Sequence, residues 1–150
     1  MKKLIVLLVL VVASMSSFAQ SYTQKYNSLL DRTDFYNSSG QMVGYAKENT
    51  LLNRLEYYDA SGSLIKYEAH NTLLNRNDTY NSSGNQTGYE QPNTLLNRND
   101  TYNSSGSQTG YKKWNDLLDR YDVYDASGKQ IGYYKYNSLL QRWDYVANPY

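Results

Sequence analysis

The chain has 150 residues, one domain's worth, with a formal charge of +1, no cysteine and one histidine. These counts exclude a disulfide framework, a thiolate metal site, a cysteine nucleophile and a multi-histidine metal centre. The near-neutral charge argues against a nucleic-acid partner.

The first element is an export signal. Lys2 and Lys3 precede an apolar run from Leu4 to Ala13, and Ser17-Phe18-Ala19 forms a small-x-small site. The run is too short to span a bilayer as a stop-transfer helix. The reading is a signal peptide over 1–19, cleaved after Ala19, with a secreted, periplasmic or cell-surface product. Membrane contact is then expected only through this signal during export. Its removal takes two of the fifteen basic residues and none of the fourteen acids, leaving a formal −1. It also strips much of the aliphatic content, so that tyrosine, with 18 copies, supplies a large share of the remaining apolar surface.

After a lead-in over 20–26, a repeat of 22 residues governs the chain. Leu pairs recur at Leu29-Leu30, Leu51-Leu52, Leu73-Leu74, Leu95-Leu96, Leu117-Leu118 and Leu139-Leu140. Each is followed by an Arg and then, two residues on, by an acid, as in Arg32 and Asp34 or Arg54 and Glu56. A Tyr and an Asx-Ser/Ala-Ser-Gly stretch come next, ending at Gly40, Gly62, Gly84, Gly106 and Gly128. Five residues later stands Tyr45, Tyr67, Tyr89, Tyr111 or Tyr133. The full units are 27–48, 49–70, 71–92, 93–114 and 115–136, with a half-unit over 137–150. The third and fourth agree at 18 of 22 positions, the mark of duplication.

Each unit reads as two strands joined by a turn. Asx-Ser-Ser-Gly has the turn chemistry: the Asx side chain bonds nearby backbone and Gly takes a positive φ. Leu-x-Arg-x-Asp-x-Tyr alternates with a strand period, and Val43, Ile65 and Ile131 are β-branched. The Leu pair reads as loop or strand, because too few residues surround it for a helix. A lone hairpin cannot bury a core. The expected fold class is therefore all-β: a repeat array of stacked, β-solenoid-like hairpins, each covering its neighbour's Leu and Tyr. In such a stack the arginines would form a ladder at about 4.8 Å, neutralised by the acids on the same face.

No constellation of catalytic residues emerges, so the chain is read as non-enzymatic, without metal or cofactor. His70 lies in a variable connector, and no other unit has a His there. The six periodic acids lack the single special pair that carboxylate chemistry needs. What remains is an irregular aromatic set: Tyr57, Trp114, Tyr121, Tyr134, Tyr136 and Trp143. These are the candidate ligand-binding residues, because exposed aromatic strips stack on sugar rings or hold cations. Capping of the last units by larger side chains explains the same residues without a ligand.

The stretch Arg120-Tyr121-Asp122-Val123-Tyr124-Asp125-Ala126-Ser127-Gly128 resembles the YD-type repeats of bacterial secreted and surface proteins, which form long β-hairpin arrays. Glu56-Tyr57-Tyr58-Asp59-Ala60-Ser61-Gly62 and Gly132-Tyr133 resemble the aromatic-glycine hairpins of cell-wall- and glucan-binding modules, in which aromatics between hairpins form the ligand cage. The unit length and the Asn, Gln and Gly content are similar to curli-type amyloid subunits. These resemblances imply binding or adhesion at the bacterial surface or envelope, to a glycan or protein, or else self-assembly into a fibre or array through exposed strand edges.

Overall fold

The computed structural model describes residues 22–140 and 142–148. The export signal lies outside the described residues. The described chain forms twelve antiparallel strands: β1 (Tyr22–Asn27), β2 (Arg32–Asn37), β3 (Met42–Asn49), β4 (Arg54–Asp59), β5 (Leu64–Asn71), β6 (Arg76–Asn81), β7 (Gln86–Asn93), β8 (Arg98–Asn103), β9 (Gln108–Asn115), β10 (Arg120–Asp125), β11 (Gln130–Asn137) and β12 (Arg142–Ala147). The strands follow one another around a closed barrel, and β1 pairs with β12 to complete the ring.

The all-β hairpin repeat is thus present, but it is not a solenoid. The hairpins lie edge to edge in one sheet instead of stacking face to face. Edge pairing satisfies the backbone N–H and C=O groups that every free hairpin would expose. Closure also uses up the strand edges on which the fibre expectation rested. Arginines of successive units therefore stand two strands apart, with a tyrosine-bearing strand between them.

Register explains why the ring closes. Within the hairpin of β1 and β2, Tyr26 lies opposite Thr33 and Gln24 opposite Phe35. Across the next seam Thr33 lies opposite Ala46, which itself lies opposite Tyr57. Each seam between hairpins carries this two-residue stagger, and the closing seam, with Gln24 opposite Trp143, carries it too. Equal staggers give every strand the same tilt, so the sixth hairpin meets the first in register. Twelve strands about 4.8 Å apart, tilted roughly 36–45°, give a backbone diameter of about 22–26 Å.

Two kinds of turn alternate, one at each end of the barrel. At one end, the Asx-Ser-Ser-Gly turns form as the sequence predicts. Asn37 Oδ1 accepts from the backbone N–H of Ser39 at 3.1 Å and of Gln41 at 2.9 Å. Gly40 donates to the Asn37 carbonyl at 3.0 Å and takes φ 79°. A register shift beside each of these turns, between Phe35 and Tyr36 in the first, adds local twist.

At the other end are the Leu turns. Asn27 Oδ1 accepts the Leu30 backbone N–H at 3.2 Å, and Asp31 closes the turn with φ 48°. The same bond recurs from Asn49, Asn71, Asn93, Asn115 and Asn137. The Leu pair thus sits in a turn that projects past the sheet. Neighbouring units do not cover it: Leu29, Leu51, Leu73, Leu95, Leu117 and Leu139 are 89–91% exposed.

Contacts identify the two faces of the wall. Side chains from strands two apart meet on the concave face: Tyr22 with Tyr134, Phe35 with Tyr57, Lys112 with Glu90, Tyr121 with Trp143. On the convex face contacts join adjacent strands only, as with Arg32 and Tyr45 or Tyr45 and Tyr58. The periodic Arg, acid and Tyr positions are convex. The variable positions alternating with them are concave.

The convex face is a polar and aromatic girdle. Asp34 is buried there: Arg32 Nε donates to its Oδ1 at 2.6 Å and Asn27 Nδ2 to its Oδ2 at 3.0 Å. Asp78 repeats this with Arg76, Asn71 and Gln86 as donors. Each of these arginines also covers a tyrosine of the next hairpin, for example Arg76 over Tyr89 at 3.9 Å. In the four hairpins from β3 to β10 that tyrosine stacks on a second one, as Tyr89 does on Tyr102 with centroids 4.8 Å apart. Arginine thus ties hairpin to hairpin, and tyrosine ties strand to strand.

Candidate functional site

All six candidate aromatics, Tyr57, Trp114, Tyr121, Tyr134, Tyr136 and Trp143, lie at concave positions. They do not form an exposed strip between hairpins, the arrangement that the cage resemblance implies. The reason is the strand period: each stands an odd number of residues from the convex Arg or Tyr of its own strand and so points inward.

They fall into two clusters at different depths. The outer cluster lies one residue in from the strand ends at the leucine-bearing mouth. There Trp114 meets Tyr121 edge-on at 4.7 Å, Tyr121 meets Trp143 at 6.2 Å, and Tyr136 meets Trp143 at 5.4 Å. Tyr136 is 43% exposed, and Trp114, Tyr121 and Trp143 are half-buried. Tyr26 joins the same rim, its hydroxyl donating to Asp31.

The inner cluster is core. Tyr57 stacks on Phe35 at 6.5 Å, Phe35 meets Tyr22 at 6.4 Å, and Tyr22 meets Tyr134 at 6.2 Å. The Tyr22 and Tyr134 hydroxyls are 2.5 Å apart, and Tyr145 packs on both rings. Tyr57 and Tyr134, at 1% and 2% exposure, are closed to a surface ligand. Tyr57 donates to Glu68 at 3.1 Å, and Glu68 is paired with Lys66 at 2.8 Å. Burial, and then the Glu68 carboxylate, push the Tyr57 phenol well above its ordinary value, so it stays neutral.

Gln24 lies where the two clusters meet. Its register partners are Phe35 of the inner cluster and Trp143 of the outer one. Gln24 is 6% exposed, and its Nε2 is buried with no hydrogen-bond partner. The indole Nε1 of Trp143 is likewise buried and unpartnered. Two buried N–H donors on neighbouring strands, beneath an aromatic mouth, can be satisfied by acceptor oxygens. Sequence reasoning missed Gln24, the one residue here that is neither aromatic nor repeated. The observable signal was its place: it alternates with Tyr22 and Tyr26 on one strand face.

The opposite side of the lumen has different chemistry. Across β5 to β9 its positions hold Lys66, Glu68, Thr79, Glu90, Thr101 and Lys112, and Lys112 pairs with Glu90 at 2.8 Å. The lone histidine lies at the rim on this side, its Nδ1 2.9 Å from Asn77 Oδ1. Among the described residues no group of His, Asp or Glu side chains is placed to hold a metal ion. Outside the barrel, two shallow grooves repeat along the wall. The larger, of about 350 Å³, is lined by Lys113, Trp114, Asn115, Asp116, Leu117, Asp122 and Tyr124.

No protein-family model matches the chain. No curated protein matches it either. A solved X-ray structure of a protein from Arabidopsis thaliana is similar, with a TM-score of 0.65 and 11% sequence identity, over 87% of this chain and 80% of that one. At that identity the likeness shows the fold alone.

Proposed function

We propose that this chain is an exported, non-enzymatic binding protein of the cell surface or envelope, and that the leucine-bearing mouth of the barrel takes its ligand. The ligand class is a hydroxyl-rich ring such as an envelope glycan. The observation that carries this reading is the unpartnered donor pair, Gln24 Nε2 and Trp143 Nε1, beneath the Trp114, Tyr121, Tyr136 and Trp143 rings. Aromatic faces stack on the apolar face of a sugar ring, while sugar oxygens accept from the two donors once the half-buried rings above them part. Export rests on the basic, apolar and small-residue order of 1–19.

The experiment is a glycan screen on the mature protein read by tryptophan emission. The only two tryptophans, Trp114 and Trp143, belong to this mouth. A bound glycan should shift that emission. Trp143→Phe, which keeps an aromatic face but deletes the N–H, should weaken binding about tenfold, the value of one good hydrogen bond at 1.4 kcal/mol. A glycan bound equally well by Trp143→Phe and Gln24→Leu variants would overturn the assignment. So would a screen in which no glycan moves the emission.

A further inference from the structure

The sequence places membrane contact only in the export signal, yet the folded barrel carries an apolar crown. The Leu turns joining β1 to β2, β3 to β4, and so on to β12, all emerge at one end of the ring. The step of 22 residues has no insertion, so the turns are of equal length and their tips reach a common level. The first leucine of each pair is 89–91% exposed and the second 42–53%. Single exposed leucines need no explanation. Twelve of them at one end of a barrel, all on turns of one design, do. The turns at the opposite end carry no apolar side chain larger than alanine.

We infer that this crown seats the barrel upright on a lipid bilayer surface, with the leucine tips entering the interfacial region. Two observations favour a bilayer over a protein partner, and a third sets the depth. The tips are separate hooks, not a continuous face. At two strands per hairpin they stand about 12 Å apart around the ring, with Ser, Thr, Asn or Asp between them. A rigid partner, including a second copy, would leave gaps between such hooks, whereas protein interfaces need close-packed cores. Fluid acyl chains close around each hook.

The order of residues behind the tips is also interfacial. One step down stand Tyr26, Trp114, Tyr136 and Trp143 on the concave side, with exposed Lys25, Lys47, Lys113 and Lys135 on the convex side. Aromatic rings and snorkelling lysines hold that level at a membrane–water boundary. Asp31, Glu48, Asp116 and Asp119 balance the lysines, so the attraction is apolar and not electrostatic.

The convex wall sets the depth. A lipid-spanning barrel carries an apolar outer band, but here that wall holds ion pairs, from Arg32 with Asp34 to Arg142 with Asp144. The barrel therefore rests on the surface by its crown and does not pass through. No described helix is long and apolar enough to cross.

The test uses the mature chain with vesicles of phosphatidylcholine alone, which contain no sugar, so the outcome is independent of the glycan reading. The protein should float with the vesicles, and 0.5 M salt should leave its partition unchanged. Lipids brominated near the headgroup should quench Trp114 and Trp143. A Leu51→Ser, Leu73→Ser, Leu95→Ser triple variant should lose at least tenfold in partition. Its melting temperature should match that of the parent, because these side chains are about 90% exposed. Unchanged partition of the triple variant would overturn the inference. Absence of flotation would do the same, as would a concentration-dependent dimer that the triple variant abolishes, since the crown's occupant would then be a second copy.

Discussion

The two faces of the barrel wall obey different rules. On the convex face the first five hairpins repeat one solution, in which arginine neutralises a buried acid and covers the next hairpin's tyrosine. On the concave face no two hairpins are alike, and aromatics fill one side while Thr, Lys and Glu line the other. The convex positions meet the same neighbours at the five turn-linked seams because the unit repeats. The concave positions converge on a shared interior, where each side chain must fit what the facing wall leaves. Repetition therefore builds the wall, and divergence shapes the lumen.

The sharpest way to break this comparison is to remove a concave anchor. Tyr57→Ala deletes the most buried ring and leaves Glu68 without its phenol donor. We expect about 3–5 kcal/mol of lost stability in urea unfolding. A loss under 1 kcal/mol would show that the lumen is not a core.

Convex substitutions should cost less and should be interchangeable. Asp78→Ala removes the acceptor of Arg76, Asn71 and Gln86, and Asp122→Ala that of Arg120 and Asn115 and one of two for Gln130. Each should cost about 2–3 kcal/mol, and the two values should agree within about 0.5 kcal/mol. A wide disagreement would break the equivalence of the convex units. Gly84→Ala, at φ 85° in an Asx turn, should cost about 1 kcal/mol. Its effect is read by the same unfolding curve.

The smallest effect is expected where one convex unit departs from the rest. Glu56 replaces the Asp of the other units, and its extra methylene lets it accept the Tyr58 hydroxyl at 2.6 Å. That hydrogen bond, then burial, raises the Tyr58 phenol to about 12. A raised phenol lends stability that is complete below its ordinary value near 10 and is lost as pH climbs towards 12. Glu56→Asp should bring Tyr58 back towards Tyr80 and Tyr102, whose phenols are raised chiefly by burial. Tyrosinate absorbance across alkaline pH reads this directly, and an unmoved titration in Glu56→Asp would detach the shift from that bond.

Much of this was legible before folding. The period of 22, the strand pairs, the Asx turns and the pairing of Arg with acid all follow from local chemistry. Closure did not, because it depends on a stagger that no single hairpin displays. Five of the six seams also carry a register shift, such as that between Thr79 and Tyr80, which residue type does not announce. The faces were half legible. Arg76, Asp78 and Tyr80 hold the pattern, whereas Asn77 and Thr79 vary between units, and that two-residue alternation separates the wall's sides. Without closure neither side could be named the inside. Sequence alone therefore presents the irregular aromatics as a surface strip and the regular tyrosines as packing between units.

The equal seams have a consequence for how such a chain can change. Because each hairpin meets the next with the same offset, a whole 22-residue unit can be gained or lost without disturbing any junction. One more unit would yield fourteen strands and widen the ring by about 4 Å. Its extra lumen positions would be free to take new side chains. The near identity of the third and fourth units, with 18 of 22 positions shared, is what such a gain would leave behind. Two of the four differing positions, Glu90 against Lys112 and Pro92 against Trp114, face the lumen. Calibre, in this architecture, is a number that inheritance can count up or down.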